Sequence, residues 1–83
     1  MAMVTLRYWA AAKEAAGVAE ETITADTLAD ALAAARRRAP RLRVILARSS
    51  FLIDGQPAGV RAPDRIPLRE AAVIEVLPPF AGG

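Results

Sequence analysis

The stretch Val73-Ile74-Glu75-Val76-Leu77-Pro78-Pro79-Phe80-Ala81-Gly82-Gly83 decides how this 83-residue chain is read. Val73 to Leu77 is a nearly continuous apolar run of strand length, and such a run predicts a central strand buried on much of both faces. Pro78-Pro79 ends the strand and favours an extended, polyproline-like exit that cannot fold back as helix. Residues 1–77 are therefore expected to form one domain and 78–83 an extended flexible tail. A tail of that length reaches about 20 Å at full extension, enough to enter the active site of another protein. Gly82 and Gly83 have no side chains, so a terminal carboxylate on them would pass a narrow channel.

Outward from this strand, the chain supplies the rest of a mixed sheet. Phe51 to Ile53 followed by Asp54-Gly55 predicts a strand entering a tight hairpin. Val60 to Leu68, punctuated by Pro63 and Pro67, predicts a loop with at most a short edge strand. Thr27-x-x-Asp30 has the form of a capping box and opens the clearest helix, in which Leu28, Leu32, Ala35 and Ala39 recur at helical spacing before Pro40 stops it. Arg36, Arg37 and Arg38 fill its last turn, where cations complement the helix dipole. Arg41 to Ala47 predicts a further turn or two, with Leu42, Ile45 and Leu46 on one side. At the N-terminal end, Val4 to Trp9 alternates, with Val4, Leu6 and Tyr8 on one face and Thr5, Arg7 and Trp9 on the other. Ala10 to Ala16 predicts a short helix closed by Gly17, and Glu21 to Thr24 a second strand centred on Ile23. The order β-β-α-β-β fits an α+β fold, a mixed sheet with one main helix packed on one face.

Composition removes most catalytic chemistry. The chain has no cysteine and no histidine. It therefore builds no thiolate or imidazole zinc site, no disulfide, and no Cys–His or Ser–His–Asp constellation. Alanine supplies much of the apolar content but buries little area per residue, so the core is expected to rest on Leu, Ile, Val and a few aromatics. No run approaches the roughly 18 apolar residues of a membrane span, and no basic segment followed by an apolar one opens the chain. A cytoplasmic protein with no membrane partner is the expectation.

The chemistry open to a glycine terminus is acyl activation. A carboxylate is a poor electrophile, but an ATP-using partner can convert it to an acyl-adenylate, which a sulfur nucleophile then attacks. The chain has no Walker-type glycine loop to hold phosphates, which assigns activation to a partner. Without a cysteine thiol, sulfur would have to ride on a backbone group.

On these residues the sequence resembles the MoaD/ThiS-type ubiquitin-like sulfur carriers, and among them the small subunit of molybdopterin synthase. The resemblance spans Val4-x-Leu6-x-Tyr8-Trp9-Ala10, Lys13-Glu14-x-x-Gly17, Thr27-Leu28, Ile53-Asp54-Gly55 and above all Leu77 to Gly83. It implies a ubiquitin-like β-grasp fold and a non-catalytic carrier with no bound cofactor. An E1-like adenylating enzyme would use ATP to activate Gly83, a sulfurtransferase system would make the thiocarboxylate, and the loaded tail would enter the MoaE-like large subunit of molybdopterin synthase. There it would donate sulfur to a pterin precursor. Family members usually carry a Gly-Asp turn before the last strand, where this chain has Ala71-Ala72, and Phe80 is bulkier than the usual residue there. Carriers for thiamin or cysteine synthesis, and a ubiquitin-like protein modifier joined to a target lysine, are alternatives within reach of the same tail.

Three other features bear on partners. If the helix covers one sheet face, the opposite face presents Arg7, Trp9, Leu52, Val73 and Leu77, with Phe80 near the tail root, as a candidate docking surface. The arginines from Arg36 to Arg43, with Arg48 beyond, form a basic cluster without interleaved aromatics. It reads as a solvated helix end rather than a nucleic-acid site. Lys13 is the sole lysine, which codon bias toward arginine explains and which also leaves few amines to capture an activated terminus.

Overall fold

The computed structural model describes residues 1–79. Its elements in chain order are β1 (Ala2–Tyr8), α1 (Ala10–Ala16), β2 (Glu20–Ala25), α2 (Leu28–Arg38), α3 (Leu42–Arg48), β3 (Ser50–Ile53), β4 (Gln56–Pro57), a 3-10 turn (Pro63–Arg65) and β5 (Val73–Leu77). The strands make one sheet in the order β2-β1-β5-β3-β4. β1 and β5 pair in parallel at its centre, and the remaining neighbours are antiparallel. The last strand of the chain is thus the central one, with the first strand beside it.

Local chemistry explains most boundaries. Gly17 closes α1 at φ +79°, its N–H donating to the Lys13 carbonyl at 3.0 Å, a conformation glycine adopts without strain. Thr27 caps α2, its Oγ1 accepting from the Asp30 N–H at 3.2 Å. Asp54 and Gly55 both have positive φ, +51° and +82°, as a two-residue hairpin turn requires. Asp54 does more than turn the chain. Its N–H donates to the Val73 carbonyl at 2.9 Å and its Oδ1 accepts from the Val73 N–H at 3.0 Å, so the hairpin turn clasps the start of β5.

The core differs from the sequence expectation in what fills it. Among the described residues nine of the twenty buried apolar positions are alanine, including Ala12, Ala16, Ala31 and Ala35 on the helices. Small side chains let α1 and α2 approach the sheet closely. Leu6, Tyr8, Leu28, Leu42, Ile74 and Val76 supply the larger volumes. The loop before β5 contributes too, because Ile66 and Leu68 are buried, and Leu68 N–H donates to the Asp26 carbonyl at 2.9 Å.

Two sequence expectations are corrected. Trp9 is the residue before α1 rather than part of β1, because Ala10 takes φ +50° and breaks the strand. β5 is central, as expected, but buried on one face only. Ile74 and Val76 are buried while Val73, Glu75 and Leu77 are half-buried, since no helix covers that side. The single glutamate in the run marks the open face.

Candidate functional site

The exit from β5 is framed by the strands on either side of it. Ser50 of β3 lies opposite Leu77, and the Trp9 N–H donates to the Val76 carbonyl at 3.3 Å on the β1 side. The C-terminal segment therefore leaves from the middle of the sheet, between β1 and β3. Pro78 is buried and Pro79 exposed, so packing reaches one residue past the strand. The predicted tail residues Phe80, Ala81, Gly82 and Gly83 lie outside the described residues.

Alternation along the strands assembles the open face beside this exit. Thr5 pairs with Val73 and Arg7 with Glu75 across the parallel ladder, while Leu52 faces Glu75 and Ser50 faces Leu77. Arg7, Leu52, Val73 and Leu77 are all half-buried and share this face, as the sequence pattern predicted. Trp9 stands at its rim, 46% exposed, rather than in the row. Glu75 and Glu20 were missed. Arg7 sits between them, its Nη1 3.9 Å from Glu75 Oε1 and its Nη2 3.9 Å from Glu20 Oε2. At these separations each pair contributes little to stability. The face thus combines an apolar row with a cation set between two anions.

The opposite face carries a polar cluster that fixes the end of β1. Tyr8 is buried, and its hydroxyl donates to Glu21 Oε2 at 2.6 Å. Arg38, from the last turn of α2, grips the same carboxylate through Nε and Nη2 at 2.6 and 2.7 Å and donates from Nη2 to the Ala16 carbonyl at 3.0 Å. Burial, then the bond to Glu21, pushes the Tyr8 hydroxyl far above its ordinary range. For Glu21 burial opposes ionisation, but hydrogen bonds from Arg38 and Tyr8 and the charge of Arg38 outweigh it and leave the carboxyl below its ordinary value. Arg38 is correspondingly raised, chiefly by its bonds to Glu21. The Glu21 carboxylate therefore joins β2 to β1 and α2, and Arg38 extends the cluster to α1. The pattern was legible in part, because Glu21 has the same strand parity as the core-facing Ile23.

Among the described residues no group of acidic side chains is arranged to hold a metal ion. No helix there is long and apolar enough to cross a membrane.

A family model described as the ThiS family matches residues 6–83. No curated protein matches the chain significantly. The solved structure of small archaeal modifier protein 1 from Methanosarcina acetivorans is similar over 100% of this chain and 98% of that one, with 24% identity and a TM-score of 0.88. A molybdopterin converting factor subunit 1 from Pyrococcus furiosus aligns over 96% of this chain and 100% of its own at 21% identity, with a TM-score of 0.81. A chain of the complex of subunits 1 and 2 of the molybdopterin-converting factor from Helicobacter pylori aligns over 98% of this chain and 99% of its own, at 23% identity and a TM-score of 0.70. The likeness is one of fold, and it identifies the mixed sheet and its helices as a ubiquitin-like β-grasp.

Proposed function

The chain belongs to the ThiS family, and from that premise we propose that it is a sulfur carrier whose Gly83 carboxylate is the site of loading. The observation that carries the reading is the route of the chain: β5 lies at the centre of the sheet and ends beside an uncovered face, where Pro78 is buried and Pro79 exposed. A segment so anchored delivers an end group to a partner while the domain docks.

The carrier contributes an acyl group and a handle. An oxygen of the Gly83 carboxylate attacks the α-phosphorus of ATP on an E1-like partner, pyrophosphate leaves, and an acyl-adenylate forms. A hydrosulfide-level nucleophile supplied by a sulfurtransferase adds to the acyl carbon, AMP departs with the C–O electrons, and a thiocarboxylate remains. Adenylation converts a poor leaving group into a good one, and this chain needs only to present its end. The open face around Arg7, Leu52, Val73 and Leu77, with Trp9 at its rim, is the surface we assign to docking.

Within the class, delivery to a pterin precursor on a MoaE-like large subunit is the branch we favour. It is supported by the Leu77-Pro78-Pro79 exit and by the fold shared with a chain whose solved structure is a complex of molybdopterin-converting factor subunits. ATP–pyrophosphate exchange with the activating enzyme of the same organism tests the loading step. The intact chain supports exchange, and deletion of Gly83 abolishes it. Exchange undiminished by the deletion would falsify the assignment of Gly83. Loaded carrier mixed with the large subunit and the pterin precursor then tests the branch, through loss of the thiocarboxylate as dithiolene forms.

A further inference from the structure

Charge is divided unevenly along the chain. Residues 36–65 hold eight arginines against two aspartates, a net of +6, whereas the rest holds three basic and seven acidic residues, a net of −4. Arg38 alone of those eight arginines has a carboxylate within ion-pair distance among the described residues. The other seven lie on the end of α2, on and just before α3 and around the 3-10 turn; all but the half-buried Arg36 are exposed, and none has a carboxylate within ion-pair distance among the described residues.

Three of these arginines border a cleft. Leu32, Leu46, Phe51 and Pro63 line a hollow of about 620 Å³ between α2, α3 and the 3-10 turn, with Arg36 and Arg43 on its walls. A second hollow of about 500 Å³ adjoins it, sharing Ser49, Phe51 and Pro63 and adding Arg61. No acidic residue lines either one, although Asp64 lies on the 3-10 turn itself. Val60, fully exposed, stands beside Arg61, and Val44, 68% exposed, beside Arg43. The cleft opens at Ser49 and Ser50, and Ser50 is the residue opposite Leu77, where the tail leaves the sheet.

We infer that this arginine-walled cleft is a docking site for an acidic segment of a partner protein that carries an apolar side chain. Unpaired guanidiniums match carboxylates bidentately, and self-repulsion among them is relieved when anions arrive. An apolar floor suits a Leu- or Phe-like anchor, whereas a nucleic-acid groove needs aromatic platforms for bases. Among the described residues lining the cleft Phe51 is the one aromatic, and it is packed against the core. The inference stands on charge and shape and does not require the sulfur-carrier reading. A partner held here would lie next to the tail exit, chiefly on the helix side of the sheet, with the second hollow reaching Ser50 and Leu52 of β3.

Fluorescence anisotropy with a labelled glutamate peptide carrying one central leucine tests it, with amide shifts in NMR spectra locating the site. Saturable binding is expected, shifting Ala47, Ser49 and Phe51 and weakening steeply as salt is raised from about 50 to about 300 mM. The double variant Arg36→Ala/Arg43→Ala weakens it at least about tenfold, while Lys13→Ala/Arg69→Ala, which removes the same charge elsewhere, changes it less than about twofold. Matching amide spectra of the variants and the parent chain exclude a folding defect. Absence of saturable binding overturns the inference. So does equal affinity for a leucine-free glutamate peptide, which would leave the apolar floor idle. Tighter binding of an oligouridylate through the same arginines overturns it in favour of a nucleic-acid site.

Discussion

Ala71 takes φ +68° just before β5, and its N–H donates to the Met3 carbonyl at 2.8 Å, so the strained geometry is held by the β1 edge. This is the turn where the carrier family usually has a glycine. Ala71→Gly is predicted to stabilise the fold by about 0.5–1 kcal/mol, because relief of the left-handed penalty exceeds the added entropy of the unfolded chain. A higher urea midpoint at unchanged m-value checks it. Tyr8 tests the opposite direction. Tyr8→Phe keeps the buried ring but removes a 2.6 Å donor from a carboxylate, at an expected cost of about 1–2 kcal/mol. The positive φ at Ala71 left no trace in the residue type, and only departure from the family pattern pointed to it. Asp54-Gly55, by contrast, announced its own turn.

At the scale of elements, the Glu21 cluster ties α2 to the two strands of one sheet edge, and its charge state sets a pH response. The carboxyl is lowered in the folded chain, so its contribution is present above its unfolded value and is lost as pH falls through the folded one. Stability is predicted to drop as pH falls below about 4.5. Glu21→Gln should flatten that acid limb when urea unfolding is followed from neutral to acid pH. Tyr8 is raised, so its contribution is complete below pH about 10, its unfolded value, and is lost progressively as pH rises from there through the folded one. Helix and strand positions were legible because capping, glycine stops and alternation act locally. The element-level surprise, Arg38 leaving the solvated end of α2 to reach Glu21, depends on tertiary placement. Three successive arginines look alike in sequence, and only packing decides which one turns inward. The same reasoning explains β5, whose open side follows from where the helices lie rather than from its own composition.

At the scale of the molecule, the fold presents two surfaces on opposite sides of one strand exit. The open face holds Leu52, Val73 and Leu77 around the Arg7–Glu75 pair, and the helix side holds the arginine cleft. Arg7→Glu would set three carboxylates together on the open face. It is predicted to weaken association with the activating enzyme or the large subunit by at least about tenfold while costing the domain less than about 1 kcal/mol, as calorimetric titration and melting would show. Much of this surface was readable, since period-two alternation lists one face of a sheet directly. Glu20 was not, because its place beside Arg7 is set by the register between β1 and β2. The docking role assigned to the open face matters only if the chain's end does the chemistry. Intact mass spectrometry of the protein isolated from its own cells tests that most directly. The account predicts a fraction of molecules heavier by the replacement of one oxygen by sulfur, with fragmentation placing the sulfur on Gly83. A population bearing an unmodified glycine or lysine-linked adducts, and never the thiocarboxylate even when the sulfur-transfer system is active, would contradict it.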